Sequence, residues 1–189
     1  PLNAWTTIRG TIGNKLAGKT ITKIWVAFDR ATNAVGQYRG YIDNIRIQSV
    51  SVPIGQRIGF KSTVNGKYVT NNTNAAATLQ APSATSINAW EKFDVYDAGN
   101  GFVALCAVNN GLFVSSNQNN GGNLQAGWAT NIGTWELFSW TDLGNNNFAL
   151  KANINGKFVS CDQNDSAVLK AGWATGITSW ETFNWTGTQ

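Results

Sequence analysis

The chain has 189 residues, a formal net charge of +4, 42% apolar and 13% charged residues, and no histidine. That is apolar enough for a sizeable core, but it provides no imidazole for acid–base catalysis, and neither cysteine lies in a CxxC, so the ligand spacing of a zinc site is absent. No apolar run approaches the ~18 residues of a helical membrane span. The nine tryptophans, with Asn, Gly and Thr crowding the turns, point to a β-rich chain. No long stretch carries a 3.6-residue apolar period.

The charge is unevenly placed. Seven Lys/Arg and two Asp precede Gly55; seven Lys/Arg and eight acids follow it. The larger, near-neutral part is therefore a poor phosphate-binding surface, and no nucleic-acid partner is expected. The cations of the leader alternate with apolar residues, as on a solvated strand face. Pro1 is neither Met nor the start of a signal-like segment, so the chain reads as a mature product or an excised piece.

TITKIWVAFDR (20–30) and GYIDNIRIQSV (40–50) read as two strands joined by a Gly-containing turn. About 50 residues are too few for an independent sheet domain. The run YIDNIRI resembles the closing strand of jelly-roll modules in secreted polysaccharide-degrading enzymes. That resemblance implies that residues 1–50 are the C-terminal strands of an incomplete jelly-roll sandwich, with its earlier strands supplied by another chain or lost. Residues 51–56, beginning SVPIG, read as a linker that Pro53 keeps out of pairing.

From there the chain repeats itself in steps of 45. Asn65-Gly66, Asn110-Gly111 and Asn155-Gly156 are each followed by an aromatic residue and a valine. Leu79, Leu124 and Leu169 keep the register, as do Trp90-Glu91, Trp135-Glu136 and Trp180-Glu181, then Phe93, Phe138 and Phe183. Asn-Gly marks a turn because both residues tolerate positive φ. Four short strands per repeat, three times over, predict an all-β chain with a β-trefoil at 57–187. Its lobes are about 57–101, 102–146 and 147–187. In this fold a six-stranded barrel, capped by three hairpins, leaves no exposed sheet edge.

The chain's three glutamates all follow the repeated tryptophan. Two roles stay open for Glu91, Glu136 and Glu181. They share the strand parity of the core phenylalanines, which favours accepting turn N–H groups. A carboxylate at each lobe also suits sugar hydroxyls. Trp90, Trp135 and Trp180 have the opposite parity and are expected at the surface, where a flat indole can stack on a pyranose face. A second tryptophan, Trp128 and Trp173 in AGWAT, has Ser83 at its place in the first copy. A tryptophan replaced by serine is not required by the fold, so it reads as a ligand platform. Trp140 and Trp185 align with Val95 and are expected in the core. Whether Cys106 and Cys161 pair is left open. CDQND at 161–165 is rich in oxygen ligands but lacks a full calcium set. No metal and no cofactor is expected. Without paired acids or a catalytic-serine motif, the chain reads as non-catalytic.

NGKYV/NGLFV/NGKFV followed by WEKF/WELF/WETF resembles the fascin-like β-trefoils, and most of all the carbohydrate-binding modules of family 92. The resemblance covers roughly residues 55–187. It implies a secreted accessory module of a polysaccharide-active enzyme, with one shallow sugar site per lobe and β-1,3- or β-1,6-linked glucan as partner. Carried over, each site would hold Trp90 with Glu91, Trp135 with Glu136, or Trp180 with Glu181. Trp128 and Trp173 would be extra platforms, and Ser83 puts the first site in doubt. Contact with the missing jelly-roll strands or a catalytic domain is a further implied partner. The resemblance leaves two rivals: protein binding of the actin-bundling fascin kind, and a spacer role. Nothing in the trefoil is strongly basic, and its Trp/Asn/Gly surface favours sugar.

Overall fold

The computed structural model describes residues 52–189. The jelly-roll reading of residues 1–50 lies outside the described residues. The chain divides into two units, Pro1–Gln48 and Ser49–Gln189.

Twelve strands lie among the described residues, four to each copy of the repeat. The first copy holds β1 (Arg57–Ser62), β2 (Thr70–Asn72), β3 (Thr78–Gln80) and β4 (Phe93–Gly99). The second holds β5 (Phe102–Ala107), β6 (Leu112–Asn117), β7 (Asn123–Ala129) and β8 (Phe138–Gly144). The third holds β9 (Asn147–Ala152), β10 (Ser160–Asp162), β11 (Val168–Lys170) and β12 (Phe183–Gly187). No α-helix occurs among the described residues; two three-residue 3-10 turns do.

Pairing closes on itself twice. β1 pairs with β4, β4 with β5, β5 with β8, β8 with β9, β9 with β12, and β12 with β1, which makes a six-stranded antiparallel barrel. The hairpins β2–β3, β6–β7 and β10–β11 meet as a triangle through Thr78↔Gln125, Lys170↔Asn123 and Val168↔Gln80. This triangle is stitched by a ring of backbone bonds: Ala81 N–H to Ala167 O, Ala126 N–H to Ala77 O, and Ala171 N–H to Gly122 O, at 2.8–2.9 Å. The all-β trefoil predicted from the repeat is therefore the fold observed. The barrel ring returns to its start, so its six strands leave no open edge, whereas β2 and β10 of the cap each pair with one strand only.

The core follows from the 45-residue register. Val69, Val114 and Val159, Leu79, Leu124 and Leu169, and Phe93, Phe138 and Phe183 are all fully buried. Phe60 sits centrally, with the rings of Phe93, Phe148 and Phe183 at 5.1–5.7 Å between centroids. Such tilted and edge-on pairs add about 0.5–1.5 kcal/mol each beyond their burial. Val95 is buried as expected, but Trp140 and Trp185 are only partly buried against the core. Trp140 stacks on Phe148 at 3.8 Å between centroids and 5° between planes. An indole is too large for a position that valine fills, so it lies along the core rather than in it.

The Asn-Gly turns are built differently from the expectation. Only the glycines take positive φ: Gly66 at 70°, Gly111 at 72° and Gly156 at 67°. The asparagines work through their side chains. Each Oδ1 accepts the N–H two residues on, at Lys67, Leu112 and Lys157. Each Nδ2 donates to the carbonyl of Ala81, Ala126 or Ala171, binding turn to cap.

Candidate functional site

The three WExF segments form three copies of one lock. Glu91, Glu136 and Glu181 are 4–6% exposed. One oxygen of each accepts a backbone N–H three residues earlier, from Asn88, Gly133 or Thr178, at 2.8–2.9 Å. The other accepts a hydroxyl from the cap hairpin: Thr70 at 2.9 Å, Ser115 at 2.5 Å and Ser160 at 2.6 Å. In the third lobe the Thr178 hydroxyl also donates, at 2.6 Å. None of the three is in a salt bridge with a described residue. Oriented donors, not a cation, make this burial tolerable. The contacts of the first role are all present: the glutamates tie the segment entering β4, β8 or β12 to the neighbouring hairpin.

The indole beside each glutamate turns outward. Trp90 is 38% exposed, and Trp135 and Trp180 are half-buried. The indole is thus presented by a segment whose position the buried carboxylate sets.

Trp128 and Trp173 are the more exposed pair, at 46% and 47%. Ser83 at the matching place is also exposed. Trp173 lies in the bend after β11. Trp128 instead lies on β7, because the β6–β7 ladder continues past a bulge to Phe113↔Ala129. The surroundings differ too. Lys170 Nζ stands 5.9 Å from the centroid of the Trp173 ring, bonded to Asp165 and, at 3.2 Å, to Asp162. These are the acids of CDQND, so their oxygens are engaged by a lysine ammonium. The Asp165 hydrogen bond is the first cause of a Lys170 pKa above its ordinary value. No cluster of three or more metal-ligating side chains occurs among the described residues.

Beside Trp128 lies a cavity of about 420 Å³, lined by Thr73, Ala76 and Ala77 from the first lobe and by Asn110, Gln125 and Trp128 from the second. Another, of about 460 Å³, lies by Ile54, Tyr96 and the Arg57–Asp94 salt bridge, and holds none of the repeated tryptophans or glutamates. The first was not foreseen, because it is made by residues of two lobes. A signal was available: Thr73 breaks a column that reads Gln118 and Gln163 in the other copies.

Cys106 and Cys161 are free and buried. Burial is the first cause of a raised pKa for both thiols.

No protein-family model matches the chain, and no curated protein sequence does. Solved structures do. The BEL β-trefoil, in an apo crystal form, matches at TM-score 0.62 and 10% identity over 75% of this chain and all of that one. An exo-β-1,3-galactanase from Clostridium thermocellum matches at TM-score 0.61 and 14% identity, over 73% of this chain but 31% of the enzyme. SeviL, solved with an asialo-GM1 saccharide, matches at TM-score 0.54 and 10% identity over 69% of this chain and 96% of that one. At such identities the likeness shows the fold alone: a β-trefoil, matched over nearly all of SeviL and over part of the larger galactanase.

Proposed function

We propose that residues 57–187 form a non-catalytic carbohydrate-binding module of a secreted polysaccharide-active enzyme, holding β-1,3- or β-1,6-linked glucan on its exposed indoles. The observation that carries this reading is the pair Trp128 and Trp173. They occupy equivalent places in two lobes and are nearly half exposed, while the fold accepts Ser83 at the third. Exposed indoles that the fold does not need, beside amides and charged groups, suit pyranose C–H faces and hydroxyls. The trefoils of the galactanase and of the saccharide-bound SeviL support the same class of ligand.

Each glutamate is buried and engaged within the chain by a hydroxyl and a backbone N–H, unlike a carboxylate that faces a scissile glycosidic bond. A shallow platform holds a sugar at about millimolar Kd, near −4 kcal/mol. Two platforms on one rigid body raise retention on a polymer by ~10²-fold or more. Affinity electrophoresis of the full chain through gels of β-1,3-glucan, β-1,6-glucan and β-1,3-galactan tests the reading. Retardation in one of the glucan gels, unchanged by added salt, is the expected result. Retardation only in galactan would move the linkage, and mobility unchanged in every gel would contradict saccharide binding.

A further inference from the structure

The pseudo-threefold axis creates three notches, each between the turn after the first cap strand of one lobe and the Asn-Gly turn of the next. Two are bridged. Asn155 Nδ2 donates to Ala171 O at 2.7 Å and to Gln118 Oε1 at 3.0 Å. Asn65 Nδ2 donates to Ala81 O at 2.9 Å and to Gln163 Oε1 at 3.3 Å. Each glutamine is held from behind, its own amide N–H donating to Ser116 O at 3.1 Å or Cys161 O at 3.2 Å.

The third notch has Thr73 at the glutamine's place, too short to cross. Asn110 Nδ2 donates to Ala126 O at 2.7 Å, and no described side chain takes its second hydrogen. Asn110 is accordingly exposed, whereas Asn65 and Asn155 are half-buried. The lobes are instead joined deeper, by two bonds: Asn71 Nδ2 donates to Asn109 Oδ1 at 2.9 Å, and Asn109 Nδ2 donates to the Asn71 main-chain carbonyl at 3.3 Å. Moving the stitch inward leaves the 420 Å³ cavity open at the surface, with Trp128 on its wall. The floor is Gln125, buried and bonded to Asn117, Thr78 and Ala76. No charged side chain lines it. The matching wall at Trp173 carries Lys170, Asp162 and Asp165.

We propose that the notch between the first and second lobes is a pocketed sugar subsite, taking a single uncharged pyranose ring against Trp128, with a ring hydroxyl accepting the spare Asn110 N–H. Its size falls within the range of small-ligand pockets. The proposal rests on the saccharide-binding reading and specifies where and how it is met. The three lobes then differ in kind: a neutral pocket at Trp128, an open charged platform at Trp173, and no loop indole at Ser83.

Thr73→Gln tests it, because it installs the residue that two lobes already carry and so closes the notch without a foreign contact. Titration calorimetry of the full chain with laminarihexaose and, separately, gentiotetraose is the readout, with thermal unfolding alongside. For whichever oligosaccharide wild type binds, Thr73→Gln is expected to weaken binding about tenfold or more with no fall in Tm. Thr73→Ser should bind as wild type, and affinity should hold between low and molar salt. Wild-type affinity in Thr73→Gln, with binding lost in Trp128→Ala, would overturn the notch while leaving saccharide binding by Trp128 intact. Wild-type affinity in both variants would also overturn it. Absence of binding to either sugar and to all three gels would overturn the underlying reading and the notch with it.

Discussion

Ser115 Oγ donates to Glu136 Oε1 at 2.5 Å, across 21 residues of chain, and the same hydroxyl–carboxylate pair recurs as Thr70–Glu91 and Ser160–Glu181. The bond joins a cap hairpin to the segment that carries the lobe's outward tryptophan. It makes the most conspicuous acid of the repeat a fastening, and it lets stability and binding be separated by mutation.

Glu136→Ala leaves the Ser115 hydroxyl and the Gly133 N–H without their acceptor. Bonds to a charged group contribute about 1.5–3 kcal/mol each, so a loss of about 3 kcal/mol is expected. Glu136→Gln keeps one acceptor and turns a donor toward the Gly133 N–H, for a loss of about 1–2 kcal/mol. Urea unfolding followed by tryptophan fluorescence measures both. Glycan retention of the folded Gln variant should match wild type. A variant of wild-type stability that no longer binds would make Glu136 a ligand-contacting group instead.

Ala76 takes φ 53° where the second lobe has Gly121 at 61°. A non-glycine residue pays roughly 1–2 kcal/mol in this region, part of which glycine returns as unfolded-state entropy. Ala76 is exposed, so its methyl group contributes little packing. Ala76→Gly is expected to stabilise by about 0.5 kcal/mol, a rise of ~1–2 °C in Tm by calorimetry. A fall in Tm would show that the left-handed alanine is not strained.

Both thiols are buried and free, and burial pushes their pKa values up, so neither is a ready thiolate at neutral pH. A chromogenic disulfide reagent at pH 8 should find almost no reactive thiol in the native chain within minutes, and two once it is unfolded without reductant. Because raised folded pKa values favour the protonated form, these thiols destabilise the fold only as pH rises above the ordinary thiol value. Zero thiols after unfolding would contradict the free pair.

Much of the fold was legible because the repeat is in phase. One alignment of Leu79, Leu124 and Leu169 with Phe93, Phe138 and Phe183 assigns the core of all three lobes, and these six side chains are fully buried. Parity also put Glu136 inward and Trp90 outward. Pairings across lobes were not legible. The Asn65–Gln163 bond spans 98 residues, and the break in the column at Thr73 does not by itself say which asparagine it leaves open. Lys170 meets Asp162 and Asp165 within one hairpin, across a turn whose geometry the residue pattern does not fix. Trp140 was misjudged by size: parity gives direction, but not whether an indole fits where Val95 does.

The central claim is that Trp128 and Trp173 hold the polysaccharide. A depletion isotherm on insoluble β-1,3-glucan, comparing wild type, each alanine variant and the double variant, tests it directly. The account predicts a clear loss for each single variant, loss of ~10²-fold or more for the double, unchanged Tm, and no change for Ser83→Ala. A folded double variant that binds the glucan as tightly as wild type would contradict it.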